Sequence, residues 1–281
     1  MELIYSFFQN VLPFSFVQYT FMINALVAIL LITPLFGLVG TEVVNNKMSF
    51  FSDALGHSAL TGIAIGVLFG VENYLLSMIG FAIIFALLIS MILDKGNSSA
   101  DTVIGVFSSV GLALGVVILS AKGGFSKYSS YLIGDILTVT ENEIVMILCL
   151  LIVVVIIWIL LYNKLLLVTL SGDMASGKNI KVNLIRKIFV IVIALIVTVS
   201  IKWIGIMIIN SLLVLPAAAA RNICKNAKSA HFTAIGISMI SGVSGLLISY
   251  YVGASASAMI VLIAAVFYFV TFAVNQIAVR R

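Results

Sequence analysis

The chain has 281 residues, of which 63% are hydrophobic and 9% are charged, whereas about a quarter of the residues in a soluble domain are charged. This composition excludes a soluble protein and indicates a membrane protein that crosses the bilayer several times. The formal net charge is +5, but the basic residues flank apolar segments, where they orient membrane helices. We therefore expect no nucleic-acid partner.

The apolar segments define the predicted elements. A helix that crosses the hydrocarbon core needs about 20 apolar residues. Runs of this kind lie near residues 18–40, 50–71, 74–93, 103–121, 143–162, 187–220, 231–251 and 256–279. We predict an all-α fold in which residues 1–281 form one integral-membrane helical bundle, surrounded by lipid, with about nine transmembrane helices and eight as the alternative.

Small residues recur at helical packing intervals in three of these runs, and this spacing allows backbones to approach closely in lipid. They are Gly62, Gly66 and Gly70 in the second run, Gly111 and Gly115 in the fourth, and Ser238, Gly242 and Gly245 in the run 231–251. We expect packing within one bundle, with a subunit interface as the alternative.

The second run, MSFFSDALGHSALTGIAIGVLFG, carries Asp53 and His57 among apolar residues. Positions i and i+4 share one face of a helix, and Thr61 continues that face by one turn. An Asp at the centre of a membrane span costs about 2.5–3.5 kcal/mol and usually faces a partner or a water-filled path. One interpretation is structural: Asp53 accepts a hydrogen bond from protonated His57, or from another helix, and stabilises the bundle. The other is a transient metal site, because carboxylate and neutral imidazole are ligands for zinc, manganese and iron.

Two ligands on one helix do not complete a tetrahedral metal site. A two-fold dimer would bring a second Asp–His pair across its axis and provide four ligands. An incomplete site also suits transport, because the ion has to leave again.

Two further groups of polar residues have weaker signals. Asp135 and Glu141 lie in the segment 122–142, predicted to be external, where they could attract cations or dock a partner, although a solvated surface is the simpler interpretation. Asn210 and Ser211 lie in the run 187–220 and could line a path or form hydrogen bonds between helices.

The segment 163–187 contains GDMASGKN, which nearly matches a phosphate-binding loop. Asn179 occupies the position of the Ser or Thr that ligates magnesium, and no hydrophobic strand precedes the segment. We therefore do not expect ATP binding by this chain. The segment has five basic residues and a predicted cytoplasmic position, which suit docking onto a soluble partner.

The run 187–220 is too long for one span and is interrupted by Lys202, Gly205, Asn210 and Pro216, so it is either one tilted helix or two shorter ones. If it divides near Lys202, the chain has nine spans with the amino terminus outside and the carboxyl terminus in the cytoplasm, and 12 of the 15 Lys and Arg residues lie inside. Without the division only seven do, so the positive-inside rule favours it. The first half, about 188–201, would then be short for a core of about 30 Å.

Five stretches resemble the permease subunits of metal-ion ABC transporters, which import zinc, manganese or iron. They follow the family's order and cover nearly the whole chain: MSFFSDALGHSALTGIAIGVLFG, DTVIGVFSSVGLALGVVILS, YLIGDILTVT, WIGIMIINSLLVLPAAAAR and SGVSGLLISYYVGASASAMIVLIAAVFYFV. The resemblance implies a homodimer of permeases in a bacterial plasma membrane, two cytoplasmic ATP-binding subunits and an external solute-binding protein.

The resemblance also implies roles for particular residues. Asp53 and His57 match the family's DAxxH element, which is proposed to line the metal path. The segment SGDMASGKNI lies where the family has its coupling helix, which implies contacts to the ATP-binding subunit from Asp173, Met174, Ala175 and Gly177. Ser171 stands where the family usually has Asp, and Asn179 where it usually has Gly.

The implied mechanism is alternating access, in which ATP-driven closure of the partner subunits pushes on residues 163–187. The cargo would be a divalent ion, zinc or manganese, with no permanently bound cofactor, and the chain itself would not be an enzyme. The alternative is a secondary carrier driven by an ion gradient, with Asp53 as its coupling carboxylate. The sequence lacks the matched inverted halves with broken helices that many such carriers have.

Overall fold

The computed structural model of the protein describes residues 5–6, 18–95, 99–122, 128 and 134–279. Within these ranges the chain forms helices and no strand, which confirms the predicted all-α fold. Eight of the helices are long and apolar enough to cross a membrane. The protein is therefore a multi-pass membrane protein.

The described ranges hold nine long helices and one short one. They are α1 (Thr20–Asn45), α2 (Phe51–Leu68), α3 (Tyr74–Lys95), α4 (Ala100–Ala121), α5 (Glu141–Leu170), the short α6 (Gly172–Gly177), α7 (Val182–Ile204), α8 (Ile206–Ile223), α9 (Ala227–Val252) and α10 (Ala256–Val279). A 3₁₀ turn at Ile136–Thr138 precedes α5. The helix α8, with 18 residues, is the apolar helix in addition to the eight candidate spans.

The run 187–220 divides into two helices near Lys202, as predicted, and the division falls at Gly205. Gly205 follows the last residue of α7 with a φ of 79°, which is readily adopted only by glycine. The prediction that the first half is short is wrong, because α7 has 23 residues and begins at Val182. Arg186 and Lys187 are exposed near its start, so their charges do not end the helix.

The predicted loop 163–187 is mostly helical. The helix α5 continues past Tyr162 to Leu170, and α6 and the start of α7 occupy most of the remainder. Asn163 and Lys164 are exposed, and we infer that the helix can extend through them without burying a charge. The connection between α5 and α7 is therefore a helical turn with short flanking segments.

The described residues form two compact units. The α2 unit comprises residues 42–134 and 154–210, and in it α2 packs against α3, α4 and α7, while α3 also packs against α7. A Cβ atom on Gly115 would lie 2.7 Å from the Thr61 nitrogen, and one on Gly62 would lie 2.7 Å from the Met78 Cα atom. Close backbone contact at these glycines confirms the packing predicted from their spacing.

The α9 unit comprises residues 1–41, 135–153 and 211–281, and in it α9 packs against α10. Gly245 meets Ile260 of α10, and Gly242 meets Thr33 of α1. Gly70 in the α2 unit differs from the predicted pattern: it lies beyond the end of α2 with a φ of 67° and no neighbour within 4 Å of a Cβ position. It is a turn residue and not a packing residue.

Candidate functional site

The turn before α2 fixes where that helix begins. The Met48 amide donates to the Val43 carbonyl at 3.0 Å, and the Phe51 amide donates to the Met48 carbonyl at 2.9 Å. Lys47, which lies within the segment closed by the first of these hydrogen bonds, has a φ of 57°. Asp53 lies in the first turn of α2, where a negative charge interacts favourably with the helix dipole.

Asp53 and His57 form the open strip of an otherwise buried helix. The His57 Nε2 and Asp53 Oδ2 atoms are 3.6 Å apart, and the two side chains are 33% and 34% exposed. Every other residue from Phe51 to Ala64 is buried. The sequence therefore turns its two most polar side chains away from the core of the α2 unit.

The contacts of the pair lie within α2. The His57 Nε2 atom approaches Asp53, as the structural interpretation allows, while the buried His57 Nδ1 atom has no hydrogen-bond partner within the described ranges. Among the described residues, neither side chain forms a hydrogen bond to another helix, so the pair does not join α2 to a neighbouring helix in this way.

The geometry of the pair suits one metal ion. Two ligand atoms about 2.1 Å from a tetrahedral zinc ion lie about 3.4 Å apart, close to the observed 3.6 Å. The described residues contain no group of three or more His, Cys, Asp or Glu side chains that could hold a metal. Within these residues, the pair offers two potential donor atoms and not a complete site.

The structure places the other predicted path residues separately. Thr61 is buried, and its hydroxyl donates to the Gly111 carbonyl of α4, so it faces a helix contact. Asn210 accepts a hydrogen bond at 2.9 Å from the hydroxyl of Ser52, the residue that precedes Asp53. Ser211 is half-buried.

Sequence reasoning missed two residues that position α2. Ser52 bonds Asn210, and a Cβ atom on Gly56 would lie 2.6 Å from the Ile206 side chain at the start of α8. The signal was present, because Ser52 and Gly56 are small residues four apart. It was hidden by the more conspicuous Asp53 and His57 on the adjacent face.

The two acidic residues of the segment 122–142 have local partners. Asp135 is exposed and accepts a hydrogen bond from the Leu137 amide at 3.0 Å, which caps the 3₁₀ turn. Glu141 is exposed and accepts from the Tyr5 hydroxyl at 3.0 Å. The pKa of Tyr5 is raised mainly by the burial of its side chain and, to a smaller extent, by the hydrogen bond to Glu141.

The short helix α6 presents one buried anchor and an exposed surface. Ala175 is fully buried, whereas Asp173, Met174 and Gly177 are exposed, and the apolar Met174 side chain is 67% exposed. A single exposed apolar side chain is ordinary on a protein surface, so what distinguishes α6 is that three of the four predicted contact residues are accessible to a partner.

The two departures from the family pattern preserve the shape of this segment. The Ser171 side chain accepts from the Met174 amide at 3.3 Å and is the N-cap of α6. Ser and Asp are both good N-caps. Asn179 has a φ of 58°, and Asn is the residue that best replaces Gly in this left-handed conformation.

The fold and these sites define an integral-membrane subunit of a transporter. A family model described as the ABC 3 transport family matches residues 18–275. The chain belongs to this family, and it is a membrane subunit of an ABC transporter.

The relatives support the same assignment. The chain is 31% identical over 245 residues to the high-affinity zinc uptake system membrane protein ZnuB of Haemophilus influenzae, covering 87% of this chain and 92% of ZnuB. It is 28% identical over 272 residues to the manganese import system permease protein ScaB of Streptococcus gordonii, covering 96% and 95%. The solved structure of PsaBC from Streptococcus pneumoniae in complex with Fab superposes with a TM-score of 0.78 at 25% identity, covering 97% of this chain and 95% of that one.

Proposed function

We propose that the chain is the permease of an ATP-driven importer whose cargo is a divalent transition-metal ion, zinc or manganese. The observation that carries this proposal is the Asp53–His57 pair, which is the open strip of α2 and has the spacing of two ligands of one ion. The names of the relatives, a zinc uptake protein and a manganese import permease, support the choice of cargo.

The incomplete coordination supports a homodimer. Two ligands hold a divalent ion weakly, and a second copy related by a two-fold axis would add another Asp53 and His57. The four ligands would hold the ion during alternating access and release it when the two copies separate.

The exposed surface of α6 supports a coupling role. Asp173, Met174 and Gly177 would contact one of two ATP-binding subunits, with buried Ala175 anchoring the helix to the permease. ATP would be hydrolysed in those subunits, and the permease would catalyse no reaction and keep no resident cofactor. An external solute-binding protein would deliver the ion, with Asp135 and Glu141 among the residues available to meet it.

The membership of an ABC family does not favour the gradient-driven carrier. The two mechanisms also differ in what they require. An ABC permease needs ATP and its partner subunits, whereas a carrier would transport the ion alone when an ion gradient is applied.

Uptake of radioactive zinc or manganese into vesicles that contain the complete complex tests the proposal. We expect ATP-dependent uptake by the wild type and a loss of roughly tenfold or more in Asp53→Asn and His57→Ala, because disturbing even the outer partners of a metal ligand costs 10- to 100-fold. Asp101→Asn, which changes an exposed acid in the first turn of α4, is the matched control and should transport normally. Normal uptake in both site variants would remove the pair from the path.

A further inference from the structure

A buried carboxyl group lies in the last turn of α1. Glu42 is 0% exposed, and its Oε2 atom accepts a hydrogen bond from the Thr169 hydroxyl at 3.0 Å. The Asn46 side-chain amide donates to the main-chain carbonyl oxygen of Glu42 at 2.8 Å and to the Thr169 hydroxyl at 3.1 Å. We call Glu42, Asn46 and Thr169 the polar bridge.

The burial of the Glu42 carboxyl group in the polar bridge calls for an explanation, because it costs free energy. A buried carboxyl group is costly even when it is hydrogen-bonded, and a well-packed apolar residue is often at least as stabilising. A polar side chain gains over an apolar one by fixing a single arrangement of the segments that it joins.

The segments joined by the polar bridge are the two that the transport cycle uses. Thr169 lies in the last turn of α5, two residues before Ser171, which caps α6. Asn46 opens the turn between α1 and α2, and the Met48 and Phe51 hydrogen bonds of that turn fix the start of α2. The bridge therefore connects the base of α6 with the base of the helix that carries Asp53 and His57.

We propose that Glu42 is a positioning residue that transmits displacement of α6 to α2. When α6 moves, Thr169 moves with it, and the hydrogen bonds to Glu42 and Asn46 carry that movement into the turn 46–50. Without the bridge, α6 can move while α2 stays behind. This inference rests on the proposed function, because it takes the ATP-binding subunits as the source of the displacement.

The test measures metal ions transported per ATP hydrolysed by the complete complex. Thr169→Val removes the hydroxyl that bonds both Glu42 and Asn46, and Glu42→Leu removes the carboxyl group. We expect the ratio to fall roughly threefold or more in both variants, the scale of one lost hydrogen bond, while complex assembly and ATP hydrolysis continue. Glu42→Gln keeps an acceptor for Thr169 and should stay near the wild-type ratio.

Thr198→Val is the matched control. Thr198 is fully buried in α7, and its hydroxyl has no hydrogen-bond partner within the described ranges, so the variant makes the same chemical change without breaking a bridge. A ratio in Thr169→Val equal to that in Thr198→Val would overturn the inference. If Glu42→Leu fails to fold, Thr169→Val still decides the outcome.

A second measurement separates this inference from the proposed function. Amide hydrogen exchange of the permease alone should be faster at Met48 and Phe51 in Thr169→Val than in Thr198→Val. If the wild-type complex transports no metal, the proposed function fails. The exchange rates at Met48 and Phe51 still show whether the polar bridge holds the turn. Equal exchange in the two variants would show that the bridge does not hold the turn.

Discussion

Gly134 lies against Gly205, the residue at which α7 ends and α8 begins. A Cβ atom on Gly134 would lie 2.1 Å from the Gly205 nitrogen, and the two glycines have φ values of 60° and 79°. Both lie in stretches that carry the family resemblance, YLIGDILTVT and WIGIMIINSLLVLPAAAAR. A side chain at position 134 would therefore require the backbone at Gly205 to shift.

The first prediction follows from this contact. Gly134→Ala would force backbone against backbone and hold a side chain at positive φ, so we expect a loss of roughly 2 kcal/mol or more in stability. Gly80→Ala is the control, because no atom lies within 4 Å of its Cβ position in α3, and it should gain about 0.5–1 kcal/mol. Thermal unfolding in detergent measures both, and equal midpoints for the two variants would contradict the expectation.

The second prediction concerns the contact between α2 and α4. Gly115→Ala would place Cβ 2.7 Å from the Thr61 nitrogen, so the two helices would have to separate. We expect a cost of about 1–3 kcal/mol together with reduced metal uptake. Gly105→Ala in the same helix has open space around the new methyl group, so it should gain about 0.5–1 kcal/mol in stability and leave metal uptake unchanged. Normal stability in Gly115→Ala would show that the two helices can separate freely.

The third prediction concerns the cap of α6. Ser171→Ala removes the acceptor for the Met174 amide and should cost about 1 kcal/mol of local helix stability, whereas Ser171→Asp should keep the cap. We expect the ATP-binding subunits to bind the Ser171→Ala permease about fivefold more weakly, a factor that corresponds to about 1 kcal/mol. Binding measured with the permease in lipid nanodiscs checks this, and an unchanged affinity in Ser171→Ala would separate the cap from docking.

The fourth prediction concerns an ion pair between α3 and α7. Arg186 Nη1 lies 3.0 Å from Asp94 Oδ1, with the side chains 45% and 21% exposed, at a cavity of about 250 Å³ in the α2 unit. Because solvent screens such pairs, a double-mutant cycle with Arg186→Ala and Asp94→Ala should give a coupling of about 1 kcal/mol or less. The coupling should shrink further at high salt. A coupling of several kcal/mol would mean that the pair is effectively desolvated.

Local patterns were sufficient to predict much of this molecule. The apolar runs and the Asp53–His57 spacing depend on residues close in sequence, whereas the division of the run 187–220 was predicted from the distribution of Lys and Arg along the whole chain. The polar bridge was not predicted, because Thr169 lies far along the chain from Glu42 and no periodicity encodes their contact. For the same reason α1 continues to Asn45, past the predicted end at residue 40: the Glu42 carboxyl group is accommodated by a residue from another helix.

The helix ends were the least predictable. Hydropathy marks where a segment leaves lipid, but a helix continues as long as its exposed face accepts polar side chains, as α5 does at Asn163 and Lys164. The break at Gly205 depends on a backbone conformation and on the approach of Gly134, neither of which hydropathy measures.

The burial of α2 on nearly every side limits how cargo access can change. Backbone contacts clamp this helix to α3 and α4, and close packing makes such contacts stiff. In the proposed transport cycle, opening and closing would change what faces Asp53 and His57 while the spacing between their ligand atoms stays constant, so the ion would gain and lose access to an unchanged pair of ligands.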